Sequence, residues 1–147
     1  MRTRLRSLLN LPRGDWPPLA LSWLLLLLAD LGLAFLPLPT LQTWLARLAL
    51  ISRRFPFPAS TDPRRLPRLV DLAAQHHLRA VRCLGRSLVL QALLAAQGLS
   101  AELQIGVRRG QEGIEAHAWV EHAGQAWGRL EDTLGIFHPL TTGSGAG

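Results

Sequence analysis

The chain holds one cysteine, Cys83, and its position makes it a candidate nucleophile. It lies in the first turn of the apolar helical run from Arg82 to Gly98, in which Leu, Val and Ala cover most of a helix surface, and Gly98 stands where a left-handed C-terminal cap belongs. A cysteine in the first turn of a helix meets the positive end of the macrodipole, which favours the thiolate that attacks carbonyls. Arg82 and Arg86 flank it and act in the same sense. A lone cysteine taken by itself is more often a small buried hydrophobe, so the assignment depends on a base downstream.

That base is His117. After Gly98 the apolar period changes to two: Ala101, Leu103, Ile105 and Val107 alternate with Glu102, Gln104, Gly106 and Arg108, as in a half-buried strand. The segment from Arg109 to Gly113 turns the chain. A second strand, Ile114 to Glu121, puts Ile114, Ala116, Ala118 and Val120 on one face and Glu115, His117, Trp119 and Glu121 on the other. A hairpin loop at Ala123-Gly124 or Gly124-Gln125 leads into a third strand running from Ala126 toward Asp132. With the first loop, Glu115 opposes Asp132 and His117 lies diagonal to it; with the second, His117 opposes Asp132 directly. Either two-residue loop selects Asp132 over Glu131, and a three-residue loop reverses the choice. A thiol at a helix start, an imidazole on a strand and a carboxylate on the next strand are the parts of a thiol peptidase. His117 would take the thiol proton and later protonate the leaving amine, and Asp132 would hold the imidazole tautomer. The Cys83 amide is an oxyanion-donor candidate, and Leu84, Trp119 and Gln75 are further candidates for substrate or oxyanion contacts. One cysteine excludes an intramolecular disulfide and a cysteine-built zinc site. His76 and His77 are adjacent, so they point to different helix faces and read as solvated helix-end residues instead of a metal pair. No metal or other cofactor is expected.

The elements that position these residues form one core, since 147 residues, 48% of them hydrophobic, suffice for a single domain with a helical extension. The expected division is an apolar, basic helical region over 1–57, a catalytic core over 58–140 and a frayed glycine-rich tail over 141–147. Up to Phe57 there are seven Arg against Asp15 and Asp30, whereas the remainder is nearly balanced. Aromatic interleaving, zinc-finger spacing and a dense basic helix are all missing, so nucleic acid is not expected as a partner. Anionic lipid or an acidic partner accounts for the charge as well. Leu19 to Leu36 is long enough to imitate a membrane anchor behind Arg2, Arg4, Arg6 and Arg13, although Asp30 inside it would cost about 2.5–3.5 kcal/mol at a bilayer centre. Pro37 and Pro39 stop that helix. A second amphipathic run presents Leu41, Trp44, Leu45 and Leu48, with Gln42 and Arg47 opposite. The pair reads as a helical hairpin packing on the domain or on a partner, with a membrane anchor as the alternative. The segment from Arg53 to Pro67, rich in Pro and Arg, is the expected linker, followed by a helix over Pro67 to Leu78. The setting is cytoplasmic, with possible membrane association through Leu19–Leu36.

Several stretches together resemble a known family: Cys83-Leu84-x-x-Ser87-Leu88-x-Leu90 with Leu93-Leu94, then Gly98-Leu99-x-Ala101-x-Leu103-x-Ile105-Gly106-Val107, then Ala116-His117-Ala118-Trp119-Val120-Glu121 and a late Phe137-x-Pro139-Leu140. The pattern is similar to that of the lasso-peptide biosynthesis B2 proteins, which are transglutaminase-like cysteine peptidases. The resemblance implies an α+β fold of the papain/transglutaminase type, with the cysteine-bearing helix packed on a small antiparallel sheet. It also implies that Cys83, His117 and Asp132 form the triad that cuts the leader from a ribosomal precursor peptide. The partners it implies are that precursor, a separate leader-recognition protein and an ATP-dependent macrocyclase. Two rivals stay open: a noncatalytic maturation scaffold, and acyl transfer from the same thioester to an amine.

Overall fold

The computed structural model describes Arg6 and residues 8–52, 62–78, 82–127 and 138–139. Four helices, α1 (Trp16–Phe35), α2 (Leu38–Ser52), α3 (Leu66–Gln75) and α4 (Cys83–Ala96), precede the strands β1 (Glu102–Gly110), β2 (Gly113–His122), β3 (Gln125–Trp127) and β4 (His138–Pro139). The sheet is antiparallel with the order β3-β2-β1-β4, so the fold is the expected α+β arrangement.

Each helix boundary has a local cause. α1 begins with Pro17 and Pro18 in its first turn, where missing N–H groups cost nothing. The preceding Asp15 does not cap it; its buried carboxylate instead pairs with Arg65, just ahead of α3. Within α1 the buried Ser22 hydroxyl donates to the Pro18 carbonyl at 2.7 Å, so a polar group in an apolar helix is satisfied. The helix ends at the extended Leu36 before Pro37. Gly32 allows α2 to close on α1, because a Cβ there would run into the Leu41 side chain. α4 ends as Gly98 requires: φ is +80°, the Leu99 N–H donates to the Leu94 carbonyl at 3.0 Å and the Gly98 N–H to that of Ala95 at 3.0 Å.

One buried cluster joins Leu19, Leu25, Leu26 and Ala29 of α1, Leu41, Leu45 and Ala49 of α2, Leu66 and Val70 of α3, nearly all of α4 from Leu88 on, and Val120 of β2. The expected boundary after Phe57 falls outside the described residues, and the helices on both sides of it share this core. Gln91 of α4 ties the layers together, accepting from Gln42 of α2 at 3.0 Å and donating to the Ala101 carbonyl at 3.1 Å.

Several expectations change. In α2 the buried stripe is Leu41, Leu45 and Ala49, whereas Trp44 and Leu48 are exposed. Gln42 turns toward α4, because the helix packs along its Gln42 flank. The helix after the linker spans Leu66–Gln75, and His76 and His77 are half-buried instead of solvated. The His77 ring lies 5.2 Å from that of Trp23, whose indole N–H donates to the His76 carbonyl at 3.3 Å. The even-numbered face of β2 is buried only from Ala118 onward, while Ile114 is 78% exposed, because the far half of the β1–β2 hairpin reaches past α4. The pairing of β4 with β1, Gly106 opposite Pro139 and Val107 opposite His138, gives no alternation to read in so short a segment.

Candidate active site

Cys83 is the first residue of α4, and its residue is half-buried. Arg82 ahead of it is extended and its side chain does not cap the helix; the first-turn N–H groups of Cys83, Leu84 and Gly85 have no intrahelical acceptor and face outward along the axis. One turn further, the buried Ser87 donates from Oγ to the carbonyl of Ala118 at 3.0 Å. That bond fastens the cysteine helix to the residue next to His117. Ala118 lies beyond Val120↔Trp127, the last described pair between β2 and β3.

The direction of the two elements follows from two contacts. Gln91, one turn past Ser87, reaches Ala101, which precedes Glu102, the partner of Glu121 in β2. α4 and β2 therefore run the same way. Going back one turn from Ser87 to Cys83 is about 6 Å of helix rise, or roughly two strand residues at about 3.3 Å each. By rise alone the first turn of α4 comes level, along the strand, with the Ala116–His117 step of β2, where Val120 faces the helical core and His117 lies on the alternate face of the strand.

His117 is half-buried opposite Gly106 of β1. Burial, and then the Arg108 guanidinium, lower its pKa below the usual histidine value. The neutral imidazole is favoured, and only that form can accept a proton. Arg108 stands across from Glu115 and diagonal to His117, and its Nε and a terminal nitrogen each approach Glu115 Oε2 at 2.7 Å. An open cleft of about 620 Å³, lined by Arg108, Arg109, Gln111, Glu112 and Glu115, adjoins this pair at the hairpin tip.

Of the other sequence candidates, Leu84 is half-buried against the core. Trp119 is buried and its indole N–H donates to Glu121 at 3.0 Å, which makes it a wall more than a donor. Gln75 is exposed at the end of α3, one turn past Asp71. Arg86, read from sequence as a neighbour of the thiol, reaches Asp71 at 3.4 Å. Asp132 and Glu131 lie outside the described residues. The loop on which their ranking rests is observed: Ala123 and Gly124 have φ of 51° and 76°, and Val120 opposes Trp127, which is the first of the two registers considered. Among the described residues no group of three or more His, Cys, Asp and Glu could hold a metal ion.

A model of the transglutaminase-like superfamily matches residues 25–142. The chain belongs to the transglutaminase-like superfamily. The match takes in α2, α3, α4 and the four described strands and begins inside α1, at residue 25. The superfamily includes cysteine peptidases and transglutaminases. No curated protein and no solved structure gives a significant match. Sequence reasoning missed Ser87 and Arg108. Ser87 carried a signal, four residues after Cys83 and so on the same helix face. Arg108 becomes visible only once the β1–β2 register puts it diagonal to His117.

Proposed function

We propose that the protein is the leader peptidase of a lasso-peptide pathway, cutting one bond of a ribosomally made precursor through a thioester at Cys83. The observation that carries this reading is the Ser87–Ala118 bond, which fixes the helix bearing the thiol against the strand bearing the imidazole. His117, kept neutral by burial and Arg108, takes the proton from Cys83 Sγ. The sulfur attacks the scissile carbonyl carbon, and the N–H groups of Cys83 and Leu84 stabilise the oxyanion. The imidazolium then protonates the leaving amine as the C–N bond breaks. Water, deprotonated by the same imidazole, hydrolyses the thioester and releases the leader with a free carboxylate. Asp132 orients His117 in this scheme. A separate leader-recognition protein presents the precursor, and an ATP-dependent macrocyclase consumes the product.

Superfamily membership also supports a second reading, acyl transfer from the same thioester to an amine. Mass spectrometry of the released leader separates the two: hydrolysis leaves a carboxylate and transfer leaves an amide. Precursor processing by Cys83→Ala protein, supplied with its partners, would refute both.

A further inference from the structure

Apart from Ser22 and Asp30, α1 is apolar on every side, which water-soluble helices avoid unless both faces are covered. One face is covered. Ser22, Leu25, Leu26 and Ala29 are sealed against the core, so the helix cannot leave the domain to cross a bilayer without dismantling it. Ala20, Leu24, Leu27, Leu31 and Phe35 follow at helical spacing on the opposite side, with no polar residue among them, and Leu31 and Phe35 are 48% and 83% exposed. On α2 the exposed Trp44, Leu48 and Ile51 form a second stripe, on the flank away from Gln42 and α4. Leu36 in the connecting turn is exposed as well. An apolar pocket of about 330 Å³ between α1 and α3 borders the first stripe, sharing Ala20 with it.

The charge carried by this part of the sequence chooses the occupant. Arg2, Arg4, Arg6 and Arg13 precede α1, Arg47 lies on α2, and Arg53 and Arg54 follow it in sequence, against Asp15 and Asp30 alone. Asp15 is already paired with Arg65, and Arg6 and Arg13 are exposed. An apolar stripe flanked by unbalanced arginines suits an interface where hydrocarbon and anionic headgroups meet. We propose that the outer stripe of α1, extended by Trp44, Leu48 and Ile51 of α2, lies in the plane of an anionic bilayer surface with Arg6 and Arg13 on lipid phosphates. The domain is then held on the membrane without spanning it. This inference is independent of the peptidase reading.

Flotation of the full chain with phosphatidylcholine/phosphatidylglycerol vesicles, against pure phosphatidylcholine, tests it. Binding should require the anionic lipid and weaken with salt. Joint Leu31→Glu and Phe35→Glu substitution should reduce it at least about tenfold, and Arg6→Gln and Arg13→Gln about fivefold each. All variants should keep the circular dichroism spectrum of the parent. Binding that survives the stripe substitutions overturns the proposal. So does a parent that ignores vesicles and instead forms a dimer lost in the Leu31/Phe35 variant, since the stripe would then be covered by a second copy.

Discussion

At the scale of single residues, the proposed chemistry turns on one imidazole and what surrounds it. His117 has its pKa lowered first by burial and then by Arg108, so the acidic limb of a rate–pH profile should lie below 6.5, the ordinary histidine value. Arg108→Gln removes the smaller cause and should move that limb upward, still short of the ordinary value because burial remains; a limb that stays in place would show that Arg108 does not act on the base. The same shift bears on stability. The unfolded chain takes up the His117 proton more readily than the folded one, so the folded state loses stability as pH falls from about 6.5 through the lowered value, and Arg108→Gln should flatten this loss in denaturant titrations at matched pH. In the proposed mechanism Ser87 is a positioning residue that does not touch substrate. Replacing it with Ala leaves the Ala118 carbonyl short of its buried partner and should cost about 1–3 kcal/mol, measured by urea unfolding. If Ser87 also holds the thiol at the level of His117, turnover of the folded variant should fall with KM little changed.

At the scale of elements, the turns hold the two strands in register. Ala123 adopts φ 51° beside Gly124 at 76°, the backbone of a type I′ turn in which Asn-Gly is favoured and alanine is strained. Ala123→Asn should therefore stabilise the protein by about 0.5–1 kcal/mol, seen as a higher Tm, and a lower Tm would mean that the strain is relieved elsewhere. Much of this level was legible beforehand. The helix from Cys83 to its glycine cap and the two long strands follow from period and turn chemistry alone, and the Ala123-Gly124 loop was one of the two two-residue loops considered, beside a three-residue one. The rest was hidden for physical reasons. β4 is too short to alternate. Trp44 and Leu48 have the spacing of a core stripe, and nothing in local hydrophobicity distinguishes them from Leu41 and Leu45, which the packing direction of α2 buries. His76 and His77 look like surface residues until α1 brings Trp23 over them. For the candidate site, the types and order of Cys83 and His117 were readable, whereas the tie through Ser87 and the influence of Arg108 needed two elements to meet.

At the scale of the whole molecule, the N-terminal helices are structural members of the domain as well as its basic, apolar surface. Leu25 and Leu26 of α1 and Leu45 of α2 are all at 1% exposure or less, in the same cluster as Val70, Leu93, Leu94 and Val120. Each such leucine contributes about 1.5–3 kcal/mol by burial, against a net stability of about 5–15 kcal/mol for a domain of ordinary size. Deleting residues 1–37 removes Leu19, Leu25, Leu26 and Ala29 together and strips one wall from α3 and α4, so the shortened chain should show no cooperative thermal transition. A chain that started at 38 and still melted sharply would mean that α1 is an appendage and that the remaining helices close their own core. The intact chain should unfold in one step whether followed by helical circular dichroism or by tryptophan fluorescence, because Trp23 of α1 and Trp127 of β3 pack against one continuous interior. Two separated transitions would divide the helical layer from the sheet, and the proposed peptidase activity, which needs Cys83 of one and His117 of the other, should then disappear at the lower one, before the helices melt.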